Sequence, residues 1–136
     1  MAFINWTEEF ITGIESIDDQ HRHLVDLVNK FEEASRRGKG SRIMSEILND
    51  LGGYTQEHFA HEEKIMTECG FPGLKQHKAR HRQLLQKIER FQFEFDTEKR
   101  RVTADVRELL LYWVRSHILQ DDMAYARHLE QSRILT

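Results

Sequence analysis

Two pairs of candidate metal ligands stand out in the middle of the chain. His58 and Glu62 are four residues apart, and so are His77 and His81. Residues at this spacing lie one turn apart on the same face of an α-helix. Gly70 can adopt the left-handed conformation that ends a helix, which predicts a turn between the two pairs. An antiparallel helical hairpin would bring both pairs to one level, where imidazole and carboxylate groups can bind a metal ion.

Four amphipathic helices are predicted to position these side chains. In each helix the apolar residues follow one another at steps of three and four, which is the pattern of a bundle seam. The spacing from Ser16 to Asp19 predicts a capping box at the start of the first helix. Gly52 and Gly53 lie inside the second helix and each cost ~1 kcal/mol relative to alanine. Close packing or a local bend would explain this glycine pair.

The predicted fold is all-α, an up-down-up-down four-helix bundle with an N-terminal arm and a short C-terminal extension, and residues 1–136 form one domain. In this topology His21, near the start of the first helix, and His117, near the end of the fourth, join the two pairs at one end of the bundle. Burying such polar groups without partners costs roughly 1–3 kcal/mol each. A metal site explains their convergence better than an ordinary core does.

Composition limits the classes of function. The chain has 136 residues, of which 39% are hydrophobic and 32% charged, and it contains a single proline. Its net charge of -3 gives no basic patch for nucleic acid. Cys69 is the only cysteine, which excludes an intrachain disulfide and a cysteine-rich zinc site. The N-terminus has no signal-peptide pattern, so we expect a cytoplasmic protein with no membrane association.

Two metal motifs that begin in this sequence are incomplete. His61 and Glu62 would start the HExxH motif of zinc proteases, but Ile65 occupies the position of the second histidine. No glutamate stands three residues before a histidine, so the Glu-x-x-His pattern of ferritin-like carboxylate proteins is absent. The spacing leaves two choices open. His61 competes with Glu62 as a ligand, and Asp121, at i+4 from His117, competes with Asp122.

The chain resembles the haemerythrins, and specifically the single-domain bacteriohaemerythrins. The resemblance covers residues from about 6 to 125. It rests on Trp6, Phe10 and Gly13 in the arm and on the motifs Ile17-Asp18-x-Gln20-His21, His58-x-x-x-Glu62, His77-x-x-x-His81 and Trp113-x-x-x-His117-Ile118-x-x-x-Asp122.

This resemblance implies a non-haem di-iron centre that binds dioxygen reversibly for delivery, storage or sensing. By position, His77, His81 and His117 would hold one iron and His21 and His58 the other. Glu62 and Asp122 would bridge the two irons together with an oxo or hydroxo group. Asp122 stands at i+5 from His117, so the helix there must widen into a π-type turn.

The implied ligand set leaves one coordination position open, on the iron with two histidines. Trp113, Ile118 and Leu119 are the expected apolar lining of an oxygen pocket at that position. The alternative functions are a di-iron enzyme, such as a peroxidase or a nitric oxide reductase, and an iron-storage module. A non-enzymatic oxygen-binding role is favoured, and the protein that would receive the oxygen is not predicted.

Overall fold

The computed structural model describes residues 4–38, 41–98 and 103–135, and every regular element in these ranges is helical. None of the described helices is long and apolar enough to cross a membrane. The predicted four-helix bundle is confirmed. The helices are a short 3-10 helix (Glu8–Phe10), α1 (Glu15–Arg36), α2 (Ser41–Glu68), α3 (Leu74–Glu98), α4 (Thr103–Tyr112), a π-helical segment (Trp113–Asp122) and α5 (Met123–Leu135).

The bundle places the ligand-bearing helices side by side. Helix α2 packs against α1 on one side and α3 on the other, and α1 also contacts α4. The turn predicted between α2 and α3 is present at Gly70, whose φ of 65° lies in the left-handed region that favours glycine. Helices α4 and α5, with the π-helical segment between them, form the fourth side, and α5 is the C-terminal extension.

The predicted N-terminal arm is present and packs across the bundle. Ile4 and Phe10 are buried in the hydrophobic core. The Asn29 side chain holds the arm through two hydrogen bonds to the Ile4 backbone. It accepts one from the N–H at 2.7 Å and donates one to the carbonyl oxygen at 2.8 Å.

The start of α1 differs from the prediction. The helix begins at Glu15, so the capping box expected at Ser16 is wrong. Asp18 joins arm to helix instead. Its carboxylate accepts hydrogen bonds from both the backbone N–H and the hydroxyl of Thr12, each at 2.8 Å. A carboxylate in the first turn also interacts favourably with the positive end of the helix dipole, so Asp18 stabilises the turn that leads into α1.

The two glycines inside α2 have different surroundings. A Cβ atom at Gly52 would lie 3.2 Å from the Cγ2 methyl of Ile88 on α3, which is tighter than ordinary packing. At Gly53 no described heavy atom beyond the local helix lies within 4 Å of such a Cβ. The close approach of α2 and α3 therefore accounts for Gly52, and Gly53 has no such constraint.

The fourth helix changes its winding where it reaches the polar cluster. The segment from Trp113 to Asp122 is π-helical, with hydrogen bonds from i to i+5. This wider turn brings Asp122 onto the same face as His117, five residues earlier. The π-type turn predicted at this position is therefore present.

Candidate metal centre

Seven polar side chains form a buried cluster at one end of the bundle. Each is at most 2% exposed, although leucine would ordinarily occupy such core positions. Helices α1, α2, α3 and the π-helical segment all contribute to it. The structure thus brings together every residue that the sequence predicted as a ligand. They are His21, His58, Glu62, His77, His81, His117 and Asp122.

The histidines divide into two groups around the two carboxylates. Within each group, combined with both carboxylates, the potential ligand atoms all lie within 4.8 Å of one another. We call these the two-histidine group and the three-histidine group. The first contains His21 and His58, and the second contains His77, His81 and His117.

Glu62 directs one carboxylate oxygen toward each group. Its Oε1 contacts the Nε2 atoms of His58 and His21, the latter at 3.4 Å. Its Oε2 lies between 3.2 and 3.5 Å from the Nε2 atoms of all three members of the three-histidine group. A carboxylate oriented in this way can bridge two cations, one in each group.

Asp122, in the π-helical segment, also directs one carboxylate oxygen toward each group. Its Oδ2 lies 2.7 Å from Nε2 of His21 in the two-histidine group. Its Oδ1 lies 3.1 Å from Nε2 of His77 and 3.2 Å from Nε2 of His117 in the three-histidine group. Both carboxylates are therefore shared, and the histidines are not.

The orientation of these atoms fits metal ions better than hydrogen bonding. Within the described residues, His58 Nε2 and both carboxylate oxygens of Asp122 are buried close to charged or polar atoms of Glu62, His21 and His77, but none of these approaches has hydrogen-bond geometry. A buried polar group left unpaired costs about 1–3 kcal/mol. Cations bound between the groups would remove this cost, so the residues present fit a pair of metal ions.

Without metal the cluster balances its charge with protons. Burial alone lowers the pKa of His21 and His117. Contacts with the carboxylates of Asp122 and Glu62 outweigh burial and raise these pKa values to about 9 and about 10. Burial alone would raise the pKa of Glu62, but the surrounding imidazoles hold it well below its usual range. A metal ion needs a neutral imidazole, so binding must release the protons of His21 and His117.

Two side chains outside the cluster orient ligand imidazoles. The Nδ1–H of His58 donates to Oε1 of Gln20 at 2.6 Å, and the Nδ1–H of His81 donates to Oε2 of Glu63 at 2.8 Å. Each bond fixes the tautomer and leaves Nε2 directed at the cluster. No role was predicted for Gln20 or Glu63. Each stands next to a ligand along the chain but contacts a ligand on another helix.

The two pairs of competing candidate ligands differ in where they lie relative to the cluster. Asp121 lies outside the cluster, where its Oδ1 accepts a hydrogen bond from Arg80 at 2.9 Å and its Oδ2 is 3.8 Å from Nδ1 of His117. His61 points away from the cluster and forms a 2.9 Å hydrogen bond with the hydroxyl of Ser16. Glu62 and Asp122, rather than these neighbours, therefore face the five imidazoles.

The three residues predicted to line an oxygen pocket lie next to the cluster or in its supporting core. Trp113 is buried and nearly parallel to the ring of His117, with ring centroids 6.2 Å apart. Ile118 is fully buried, and Leu119 is half-buried against the hydrophobic core. Their contact with a bound ligand stays a prediction.

Two further aromatic residues enclose the cluster, and the sequence analysis did not identify them. The ring of Phe59 stacks on His81 at a centroid distance of 3.7 Å and an interplanar angle of 2°. Tyr125 is fully buried with its ring 5.6 Å from that of His77. Their positions in the sequence, close to predicted ligands, are what could have identified them. Phe59 directly follows a ligand, and Tyr125 stands three residues after Asp122, on the same helical face.

Comparison with known proteins gives this arrangement a family. Residues 12–129 match the family model described as "Hemerythrin HHE cation binding domain". The chain belongs to the haemerythrin family. Its relatives include a bacteriohemerythrin of Pseudomonas aeruginosa, which is 31% identical over 92% of this chain and 80% of that protein. A bacteriohemerythrin of Methylococcus capsulatus is 32% identical over 92% of this chain and 95% of its own length.

The haemerythrin fold is confirmed by solved structures. A crystal structure of wild-type hemerythrin superposes with a TM-score of 0.86 at 30% identity, covering 94% of this chain and 98% of that one. The myohemerythrin of Riftia pachyptila is a more distant relative, 27% identical over 91% of this chain and 92% of its own. A haemerythrin domain implies binding of non-haem iron, and the buried cluster of histidines and carboxylates is suited to a metal.

Proposed function

We propose that this protein binds dioxygen reversibly at a non-haem di-iron centre. One observation carries the proposal. Glu62 and Asp122 each direct one oxygen toward the two-histidine group and the other toward the three-histidine group. A single-metal site has no use for two shared carboxylates, whereas a metal pair needs bridges to hold its members close together.

In this proposal the two histidine groups have different tasks. The three-histidine group, with both carboxylates, would offer its iron one more protein ligand than the two-histidine group would offer the other. The second iron would then have a position that protein side chains do not fill, and an open position permits ligand chemistry. When bound, the iron pair with its oxo or hydroxo bridge supplies the electrons with which dioxygen is held.

The surrounding residues are proposed to offset the charge of the centre and to exclude water from it. The carboxylates of Glu62 and Asp122 offset part of the positive charge that two ferrous ions bring into the core. Trp113, Ile118 and Leu119 are proposed to exclude water and anions from the open position, because their side chains are apolar where they face the core. Without water, oxidation to an inactive ferric form is slower.

We assign the protein to the oxygen-binding proteins, and we propose a carrier, storage or sensing role in place of catalytic turnover. The names of its relatives, bacteriohemerythrin and myohemerythrin, support this choice. We propose that residues 1–136 form one domain, because all four sides of the bundle contribute side chains to one cluster. The proposed oxygen binding does not depend on any partner other than dioxygen or on the predicted cytoplasmic location.

Metal analysis of the protein expressed with ample iron tests the centre. We expect two irons per chain, and Glu62→Ala should lose most of the bound iron because it removes a ligand shared by both groups. One metal per chain at full occupancy would contradict the di-iron centre. Rapid, sustained turnover of peroxide or nitric oxide by the loaded protein would support the enzyme alternative.

A further inference from the structure

Two carboxylates stand behind the three-histidine group. Behind it, Oε2 of Glu63 accepts the Nδ1–H of His81 at 2.8 Å. A second carboxylate, that of Asp121, places Oδ2 3.8 Å from Nδ1 of His117, which is too long for a hydrogen bond, so it acts there through its charge alone. We call Glu63 and Asp121 the outer carboxylates. Neither belongs to the cluster, and both lie on the side of the imidazole that points away from it.

The two-histidine group has neutral surroundings at the same positions. The amide oxygen of Gln20 accepts the Nδ1–H of His58 at 2.6 Å. Nδ1 of His21 is buried and meets no hydrogen-bond partner within the described part of the chain. The contrast is therefore between a carboxylate and an amide at matched hydrogen bonds, on His81 and His58.

This contrast affects how strongly each group attracts a cation. A carboxylate that accepts a hydrogen bond from a ligand imidazole makes the imidazole more basic and adds negative charge near the metal, and an amide does much less of both. Of the two outer carboxylates, Glu63 should have the greater effect on metal binding. Asp121 is farther from its histidine, and Arg80, 2.9 Å away, offsets part of its charge.

We propose that the two metal positions fill in order, the three-histidine group first, and that Glu63 enforces this order. The inference rests on the proposed two-metal centre and adds a division of labour between its halves. The metal in the three-histidine group would then be the firmly held one. The metal in the two-histidine group, which carries the coordination position proposed for dioxygen, would bind second and more weakly.

Ligand number alone also favours the three-histidine group, so the test must change the outer charge and leave the ligands intact. Glu63→Gln removes the charge but keeps a hydrogen-bond acceptor for His81. Gln20→Glu introduces the same charge behind His58. Glu68→Gln is the matched control, because it makes the same change at an exposed position on the same helix.

The experiment is an anaerobic titration of the metal-free full-length protein with Co²⁺, followed by visible absorption and paramagnetic proton NMR. Exchangeable, strongly shifted N–H signals report each imidazole bound to cobalt. We expect three such signals at one equivalent and five at two. Glu63→Gln should weaken the first binding step about 10- to 100-fold and affect the second step less. Gln20→Glu should strengthen the second step, and Glu68→Gln should change neither.

Several outcomes would overturn the inference. Two signals at one equivalent would reverse the proposed order, and five signals growing together from the first addition would remove it. If three signals appear first but Glu63→Gln binds its first cobalt as tightly as the unchanged protein, the number of ligands sets the order and Glu63 does not. Saturation at one cobalt per chain would refute the two-metal centre, and with it the proposed function, which distinguishes that failure from an unordered pair.

Discussion

Asp122→Asn should damage the metal centre, whereas the same change one residue earlier, Asp121→Asn, should leave it largely intact. The π-helical segment places Asp122 in the cluster, with Oδ2 2.7 Å from His21 and Oδ1 3.1 Å from His77. Asp121 instead pairs with Arg80 near the surface. A regular α-helix would reverse these positions, so the two variants test the widened turn as well as the ligand.

The effect on the metal-free protein can be worked from burial. Removing one partner of a buried charge pair costs roughly 3–5 kcal/mol, because the other charge is left uncompensated. Asp122 is fully buried and faces His21, whose raised pKa of about 9 keeps it protonated at pH 7. With a urea m-value of about 2 kcal/mol/M, the unfolding midpoint should fall by roughly 1.5–2.5 M.

Asp121→Asn breaks a pair in which the Arg80 side chain is 54% exposed. Such pairs contribute about 0–1 kcal/mol, so the midpoint should fall by less than roughly 0.5 M. Urea unfolding by circular dichroism gives the midpoints, and metal analysis after saturation with iron gives occupancy. We expect two irons in Asp121→Asn and fewer in Asp122→Asn. Iron loss in Asp121→Asn alone would refute the assignment of Asp122.

Further predictions concern the proposed oxygen pocket, the protonated histidines of the metal-free protein and the two glycines inside α2. Leu119→Ala should retain its iron but speed oxygen release and oxidation to the ferric form, both measurable by stopped-flow absorption, and unchanged rates would place Leu119 outside the pocket. The metal-free protein should lose stability as pH rises from 7 to 10. The raised pKa values of His21 and His117, about 9 and about 10, contribute stability that is complete below the unfolded pKa of 6.5 and is lost as these groups deprotonate. Equal urea midpoints at both pH values would contradict this. Gly53→Ala should stabilise α2 by about 0.4–1 kcal/mol, and Gly52→Ala should gain less because of its close contact with α3. The opposite ranking in thermal melts would show that the bundle relaxes at Gly52.

Regular periodicity explains why the helices and most ligands could be predicted. His58 and Glu62, like His77 and His81, follow ordinary helical spacing, so one face of a regular helix presents both members of each pair. Asp122 does not follow that spacing. Only the family pattern placed it in the cluster, because an α-helical period favours Asp121 and cannot by itself indicate a π-type turn.

Contacts between helices account for most of what the sequence analysis missed. Glu63 and Gln20 stand next to ligands along the chain but form hydrogen bonds to ligands on other helices, and no spacing rule within one helix relates such residues. The prediction for the start of α1 was wrong for a local reason. Ser16 had the right spacing for a cap, but Asp18 bonds to the arm and sets the turn instead.

The visible spectrum of the iron-loaded protein through an oxygen cycle shows directly whether the protein binds dioxygen reversibly. The reduced protein should gain absorption on exposure to oxygen, lose it when argon removes the oxygen, and regain it on a second exposure, with two irons per chain throughout. Oxidation that argon does not reverse, in a protein that retains both irons, would contradict reversible oxygen binding.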